Sequence, residues 1–137
     1  MIDQSCLFCR IARHEIPAEV LYEDDHTLAF LDIHPRVQGH TMVIAKFHSQ
    51  NLSDLPEAEV APLFLAVRRV ATLLRDRLKA DGLTIGINEG SVSGQEVPHL
   101  HIHIMPRFAG DGGGSIQTIV NNPPHDSVSE VRLKIKQ

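Results

Sequence analysis

Three histidines occupy alternate positions in the segment 94–107, GQEVPHLHIHIMPR, where single apolar residues separate His99, His101 and His103. Successive side chains of a β-strand point to opposite faces, so the three imidazoles are expected on one face and the apolar residues on the other. Aligned imidazoles gain nothing from cross-strand pairing and repel one another when protonated, which disfavours a merely solvated histidine face.

Two kinds of chemistry would use such a face. In one, the histidines bind a catalytic metal, because His-x-His can aim two nitrogens at one zinc ion. In the other, a neutral imidazole attacks phosphorus, and the P–N bond breaks readily because the ring leaves uncharged. The preceding segment 88–95, NEGSVSGQ, favours attack on phosphorus, since small residues let backbone N–H groups approach anionic oxygens. It also fits an ordinary hairpin loop.

Cys6 and Cys9 are the only cysteines of the chain and form a C-x-x-C pair near its start. No secretory signal precedes them, which argues against a structural disulfide. A redox pair of this type normally follows a strand, and none is expected there. Half of a zinc site is the better interpretation, and it needs two more ligands from elsewhere in the chain.

Composition bounds the class of protein. The chain has 137 residues, 42% hydrophobic and 22% charged, with a net charge of −4 and a pI of about 6.1. These values fit one globular domain over 1–137 and disfavour nucleic acid as a partner, because binding to it requires clustered cations. No apolar run approaches the length of a membrane span, so a cytoplasmic protein is expected.

The hydrophobic pattern predicts an α+β fold. A short helix is expected over 7–13 and strands over 19–24, 27–33, 41–46, 83–90 and 99–107. One long amphipathic helix is expected between 53 and 82, with a capping box at Asp54 and Glu57, a kinked or delayed start at Pro62 and a stop at Asp81–Gly82. Segment 129–137 fits a strand or a helix.

Short connections between these strands imply an antiparallel five-stranded sheet that the long helix covers. A sheet of so few strands with one bare face suggests pairing with a second copy of the chain. Val67, Val70 and Leu74 of the long helix are candidates to face that copy.

The sequence resembles the histidine triad (HIT) superfamily of nucleotide hydrolases and transferases. The family signature is His-φ-His-φ-His-φ-φ, where φ is apolar, and HLHIHIM matches it at every position. The stretches IPAEVLYEDDHTLAFLDIHP, GHTMVIAKFH and INEGSVSGQEVPH resemble further family blocks. The resemblance covers about 5–110 and leaves 111–137 as a C-terminal extension. It is strongest to Hint-type phosphoramidases, while HIMPRFAGDG is similar to Fhit-type dinucleoside polyphosphate hydrolases.

The resemblance implies a five-stranded HIT-like fold, usually a homodimer with a joined sheet, and assigns catalytic roles. His101 would attack the α-phosphorus of a purine nucleotide conjugate and form a nucleotidyl-histidine that water hydrolyses to a nucleoside monophosphate. The carbonyl of His99 would accept the N–H of His101, His103 would bond toward the phosphate, and His40 would contact the triad. Neither a catalytic metal nor an organic cofactor is implied.

The resemblance also implies a nucleotide site. Asp32 would accept both ribose hydroxyls, for which a carboxylate has the acceptors. An apolar purine pocket would be formed by Phe8, Ile11, Phe30, Leu31 and Ile33. The phosphates would meet Asn88, Gly94, Gln95 and Val97. Glu96 replaces a serine that is thought to protonate the leaving amine in Hint-type enzymes, and a carboxyl group would need a raised pKa for that task.

The resemblance further implies a structural zinc ion held by Cys6, Cys9, His48 and His99, whose donors suit a closed tetrahedral site. Three alternatives remain open at this stage. They are a dinucleoside polyphosphate hydrolase, a slow-turnover nucleotide-binding regulator, and a zinc hydrolase that uses the three histidines of the strand as ligands.

Overall fold

The computed structural model describes residues 3–137. The strands are β1 (Val20–Glu23), β2 (Thr27–Leu31), β3 (Thr41–Ala45), β4 (Gly82–Gly86) and β5 (His101–Arg107). They form one sheet in the order β1-β2-β3-β5-β4, and all neighbours are antiparallel. The helices are α1 (Leu7–Ala12), α2 (Glu57–Leu78) and α3 (Val128–Ile135). The predicted α+β class and the five-stranded antiparallel sheet are confirmed.

Helix α2 covers one face of the sheet. The apolar residues of the histidine strand lie on this face, where Leu100, Ile102 and Ile104 are at most 1% exposed. The period-two prediction is therefore confirmed. On α2, the residues packed into this core include Val67, Val70 and Leu74. The prediction that these three face a second copy is wrong, because the sheet already buries them.

The opposite face of the sheet carries the histidines, and α1 covers part of it. Phe8, Cys9 and Ile11 pack against apolar side chains of β2 and β3. The expected bare face is therefore wrong near β2 and β3, where α1 supplies a second core. Beyond α1 the face continues over β5 and β4, where Gly86 lies opposite His103 and presents no side chain.

The ends of α2 differ from the prediction. Leu55 has an extended backbone with ψ 126°, as expected for a residue before proline, so the helix begins after Pro56 without the side-chain cap predicted at Asp54. Pro62 lies inside the helix without delaying it. Its missing N–H leaves the carbonyl of Ala58 without an i+4 partner, and Ala58 is exposed to solvent near the helix start.

Helix α2 ends at Leu78, before the predicted Asp81–Gly82 stop. Lys79 supplies the left-handed conformation at φ 57°, and its N–H bonds the carbonyl of Arg75. A non-glycine residue there strains the backbone modestly. Among residues 3–137, no helix has the length and apolar character that crossing a membrane requires.

Gly39 packs between the C-terminal end of α2 and strand β5. Its φ is +85°, and a Cβ built on it would lie 2.4 Å from Cδ1 of Leu78 and 3.1 Å from Cγ of Pro106. This conformation favours glycine, and a side chain here would also have to displace the end of the Leu78 side chain. Gly39 immediately precedes His40.

The C-terminal extension continues from β5 and ends in α3. A capping box starts α3, with the Ser127 hydroxyl accepting from the N–H of Glu130 and the Glu130 carboxylate accepting from the N–H of Ser127. The helical alternative for this segment is therefore the correct one. No residue of α3 is buried.

Candidate active site and metal centre

His101 lies at the start of β5, on the face that α1 partly covers. Its side chain is 7% exposed, and the ring of Phe8 packs edge-on against it at 5.1 Å between centroids. The N–H at Nδ1 of His101 donates to the carbonyl of His99 at 2.7 Å, as predicted. This bond leaves the lone pair on Nε2. Within residues 3–137, Nε2 has no hydrogen-bond partner and is not enclosed.

His99 is fully buried, and its two ring nitrogens have different environments. Nε2 lies 2.9 Å from the carbonyl of Ala45, so it carries the proton and donates. Nδ1 therefore offers its lone pair, and it lies 3.4 Å from the Sγ of Cys6 and 3.6 Å from the Sγ of Cys9. Burial lowers the pKa of His99 to about 4, which keeps the ring neutral.

Cys6, Cys9, His48 and His99 form a cluster whose four donor atoms all lie within 4.8 Å of one another. The two imidazole Nδ1 atoms are 3.2 Å apart, and the Sγ of Cys9 is 3.3 Å from Nδ1 of His48. A tetrahedral zinc site with ordinary bond lengths has N–N edges of about 3.3 Å and N–S edges of about 3.6 Å. The cluster therefore fits a zinc ion in donor type and in spacing.

Local structure positions the two thiols. Cys6 caps the N-terminus of α1, where its Sγ accepts from the N–H of Cys9 at 3.4 Å, so the C-x-x-C pair lies on the first turn of the helix. Burial raises the pKa of the Cys9 thiol. A bound zinc ion would supply the positive charge that favours the thiolate in this buried position.

His40 and His103 form a second pair on the same face. The backbone N–H of Arg36 donates to Nδ1 of His40 at 3.2 Å, so the proton of a neutral His40 is on Nε2. That nitrogen lies 2.9 Å from Nδ1 of His103 and donates to it. The hydrogen-bond network thus assigns the proton of His103 to Nε2. His103 therefore presents an N–H donor.

Burial lowers the pKa of both His40 and His103, the latter to about 4. Both rings are therefore neutral at pH 7, in agreement with the hydrogen-bond network. Oδ2 of Asp32 lies 3.6 Å from Nε2 of His40, which gives these three residues the spacing of a metal site. Because Nε2 of His40 carries a proton that it donates to His103, we assign His40 and His103 as a hydrogen-bonded pair beside the Asp32 carboxylate.

The predicted nucleotide residues fall into two groups. Phe8, Ile11 and Phe30 are buried together in the second core, on the side of β5 occupied by β2 and β3. Ile33 is exposed, and Leu31 is half-buried at the end of β2. Asp32 lies between these two residues, and its Oδ1 accepts from the N–H of His34 at 2.8 Å. Of these apolar residues, Phe8 packs edge-on against the ring of His101.

The side-chain amide of Gln95 stabilises the loop before β5. The side chain of Gln95 accepts from the N–H of Gly90 at 2.9 Å and donates to the carbonyls of Gln50 and Val97. Gly94 has φ 98° and lies on the surface. Asn88 is half-buried at the loop start. Gln95 thus shapes the loop, a contribution that the sequence did not reveal.

Glu96 is exposed in this loop. Its carboxylate makes no hydrogen bond with any residue between 3 and 137. Its predicted role in protonating a leaving group stays a prediction.

The alternative of one zinc ion bound by the three histidines of the strand does not fit. His99 belongs to the thiol cluster and His103 to the pair with His40, while His101 is in neither group among the described residues. Two site contacts that the sequence missed come from the main chain. They are the N–H of Arg36 and the carbonyl of Ala45, and no side-chain pattern could have indicated them.

Comparison with known proteins gives the family. The family model for the HIT domain matches residues 13–110. The chain belongs to the HIT family. It is 48% identical over 107 residues to a HIT-like protein of Methanocaldococcus jannaschii, an alignment that spans 78% of this chain and 82% of the relative. A HIT family structure from Bacillus subtilis, 36% identical, superposes with a TM-score of 0.85 over 97% of this chain and 93% of that one.

Two further HIT relatives bear on chemistry. The adenosine 5′-monophosphoramidase HNT1 of Saccharomyces cerevisiae is 35% identical over 106 residues, which is 77% of this chain and 65% of the yeast protein. A structure described as a zinc-bound histidine triad family protein from Mycobacterium smegmatis is 38% identical. It has a TM-score of 0.74 over 94% of this chain and 89% of that one.

Proposed function

We propose that this HIT protein is a nucleotide hydrolase that attacks the α-phosphorus of purine nucleotide conjugates, nucleoside phosphoramidates above all. The observation that carries the proposal is the 2.7 Å bond from Nδ1 of His101 to the carbonyl of His99, which leaves an unprotonated Nε2 as nucleophile. The monophosphoramidase of yeast is a relative with a matching activity.

In the first half of the proposed reaction, Nε2 of His101 forms a bond to phosphorus while the bond from phosphorus to the leaving amine breaks. The departing amine takes a proton from solvent or from an acid such as Glu96. The Nε2–H of His103 donates toward a phosphate oxygen, an orientation that His40 supports. A preorganised donor of this kind contributes about 3–4 kcal/mol to barrier lowering.

In the second half, water attacks the phosphorus of the nucleotidyl-histidine. The P–N bond to His101 breaks, a proton from the water passes to solvent, and a nucleoside monophosphate leaves. Asp32 accepts from the ribose hydroxyls, and the apolar residues beside α1 contact the purine. This assignment follows from their position on the β2 side of His101.

We further infer that the zinc ion held by Cys6, Cys9, His48 and His99 is structural. The donor spacing fits a closed tetrahedral site, and the zinc-bound mycobacterial relative is a precedent. When bound, zinc joins α1 to the strand that carries the nucleophile. His99 would bind the metal through its side chain, while its main-chain carbonyl accepts the Nδ1–H of His101.

A homodimer with a joined sheet is the expected assembly. Strand β4 stands at the edge of the sheet, so its outer row of N–H and C=O groups is available for pairing with a second copy. Light scattering across a concentration series tests this, and a monomeric mass at all concentrations contradicts it.

The decisive experiment looks for the covalent intermediate. Turnover of adenosine 5′-phosphoramidate is quenched in alkali, and peptides are examined for added adenylyl mass on His101. The variant His101→Ala should lose the adduct and at least about 10⁴-fold in kcat, whereas His125→Ala, which replaces an exposed histidine of the extension, should keep both.

Turnover without an adduct on His101 would refute the mechanism. Tight AMP binding without turnover of any conjugate would instead favour a nucleotide-binding regulator. Diadenosine polyphosphates should be tested in parallel, because the same nucleophile would also serve a dinucleoside polyphosphate hydrolase.

A further inference from the structure

Phe8 of helix α1 contacts two imidazole rings that have different roles. Its ring centroid lies 5.9 Å from that of His99, which belongs to the thiol–imidazole cluster, and 5.1 Å from that of His101, the proposed nucleophile. Both contacts are edge-on, and Phe8 is only 4% exposed. In a close-packed interior, a displacement of Phe8 would therefore alter the surroundings of both histidines.

The residues that flank Phe8 in the same helical turn supply the thiols of the cluster. Sγ of Cys6 lies 3.4 Å from Nδ1 of His99, and Sγ of Cys9 lies 3.3 Å from Nδ1 of His48. Cys6 caps α1, and Phe8 and Cys9 lie in its first turn. The regular geometry of a helix fixes the distances between these three residues. Contacts that hold the two thiols in place therefore hold Phe8 as well.

Few contacts attach α1 to the rest of the domain. The helix has six residues, a length at which an isolated helix is unstable in water. Within residues 3–137, its backbone makes no hydrogen bond with any residue after 15. Its polar side-chain contacts with His48 and His99 all come from the two thiols. The position of α1 thus depends on the cluster and on the apolar packing of Phe8 and its neighbours.

Phe8 also belongs to the apolar residues that contact the purine in the proposed function. Its ring centroid lies 5.5 Å from that of Phe30, and Ile11 of α1 is buried in the same core. A nucleotide bound at His101 would thus need Phe8 and Ile11 in place, and α1 supplies both. The thiol ligands and part of the nucleoside contacts therefore share one short helix.

We propose that zinc and a purine nucleoside monophosphate bind this chain with positive cooperativity, and that Phe8 links the two sites. When Cys6 and Cys9 hold the metal, α1 is fixed, so part of the ordering that the nucleotide requires is complete before it binds. By thermodynamic reciprocity, the nucleotide strengthens zinc binding by the same factor. The inference rests on the proposed function, since it needs the nucleotide to occupy the site beside His101. Nucleotide binding would then respond to the supply of zinc.

Four dissociation constants test the coupling in the wild-type protein. Calorimetry gives the Kd of AMP for zinc-loaded and zinc-free protein, and competition with a chelator gives the Kd of zinc with and without saturating AMP. Each pair should differ about 5- to 150-fold, the usual range for coupled sites, and the two ratios should agree. Circular dichroism of the zinc-free protein verifies that the sheet and α2 stay folded at the temperature used.

The variant Phe8→Leu tests the role of the ring. Leucine keeps an apolar side chain on α1 but removes the ring that meets His99 and His101, so zinc should still bind while the ratio of AMP affinities falls towards one. Because Phe8 also meets the purine, both AMP affinities should fall, and their ratio is the quantity that a merely structural role would not change. The matched control Leu7→Ala changes the adjacent residue, which is 45% exposed, and should keep the wild-type ratio.

The outcomes separate the two proposals. If AMP binds zinc-loaded and zinc-free wild-type protein equally well, the coupling alone is refuted, and an adduct on His101 would still support the proposed function. If AMP binds neither form and no adduct appears, the proposed function fails and the coupling with it. A wild-type ratio in Phe8→Leu would refute the role of Phe8, and weaker zinc binding in the presence of AMP would contradict the positive sign.

Discussion

Nε2 of His40 and Nδ1 of His103 are 2.9 Å apart, and the N–H of Arg36 bonds the other nitrogen of His40. The N–H of Arg36 therefore determines, through the ring of His40, that His103 is protonated on Nε2. In the proposed mechanism, His40 is thus a positioning residue for the N–H donor of His103.

Replacing His40 tests this arrangement. His40→Ala removes the donor to His103 and should lower kcat/KM about 10- to 100-fold, the usual cost of losing an orienting partner. His40→Gln retains an amide donor and should recover part of the loss. Nitrogen-15 NMR of His103 provides a readout independent of turnover, with the Nε2-protonated form dominant in the wild type. Equal populations of both protonated forms in the wild type would contradict the assignment.

Acid should destabilise the fold through the same two rings. Burial lowers the pKa of His103 to about 4 and also lowers that of His40, so the folded protein keeps both neutral where the unfolded chain protonates them. The unfolded state then binds more protons, and stability falls as the pH drops from about 6.5 toward 4.

Urea unfolding at pH 7.5 and pH 5.0 measures this effect. Each histidine contributes at most about 1.4 kcal/mol per pH unit in the affected range. The loss between the two pH values should be smaller in His103→Gln than in wild type. An identical loss in both proteins would show that His103 titrates normally in the folded state.

Bound zinc should stabilise the fold, and its binding should require the thiols of Cys6 and Cys9. Purified protein is expected to contain about one zinc per chain, and Cys6→Ser/Cys9→Ser should abolish binding and lower the melting temperature. Elemental analysis and thermal unfolding with and without chelator measure both. His34→Ala, which changes an exposed histidine outside the cluster, is the control. Less than half an equivalent of zinc in chelator-free protein would contradict the site.

The end of α2 offers a stabilising substitution. Lys79 has φ 57°, a conformation that costs a non-glycine residue energy, so Lys79→Gly should stabilise the fold by about 0.5–1 kcal/mol. The control Arg77→Gly, two residues earlier and inside the helix, should destabilise it by about 1 kcal/mol. Chemical unfolding measures both changes, and two shifts of the same sign would refute the explanation.

Periodic patterns of the sequence predicted the elements that position the site. Alternation at 99–104 indicated the histidine strand and its buried face, and the i, i+3, i+4 pattern indicated α2. A local proline effect overrode the capping-box pattern at Asp54, whereas the same pattern at Ser127 does form a cap. A capping-box pattern therefore predicts a helix start only when the neighbouring residues also allow a helix to begin there.

Other parts of the site lack a periodic signal. The position of the extension depends on the ion pair between Arg107 and Asp111, four residues apart in a loop where no pattern indicates its direction. The network around His40 depends on a backbone amide that every non-proline residue has. Such contacts follow from tertiary structure, and the sequence alone could not specify them.

His99 lies in the thiol–imidazole cluster through its ring and accepts the Nδ1–H of His101 through its main-chain carbonyl. Because a peptide carbonyl is present whatever amino acid occupies the position, natural variation could erase the thiols and this imidazole while the orientation of His101 survives. Metal binding by the His99 ring and orientation of His101 by the His99 carbonyl can therefore evolve independently. A related chain that lost the metal ligands would need other contacts to attach its first helix to the sheet.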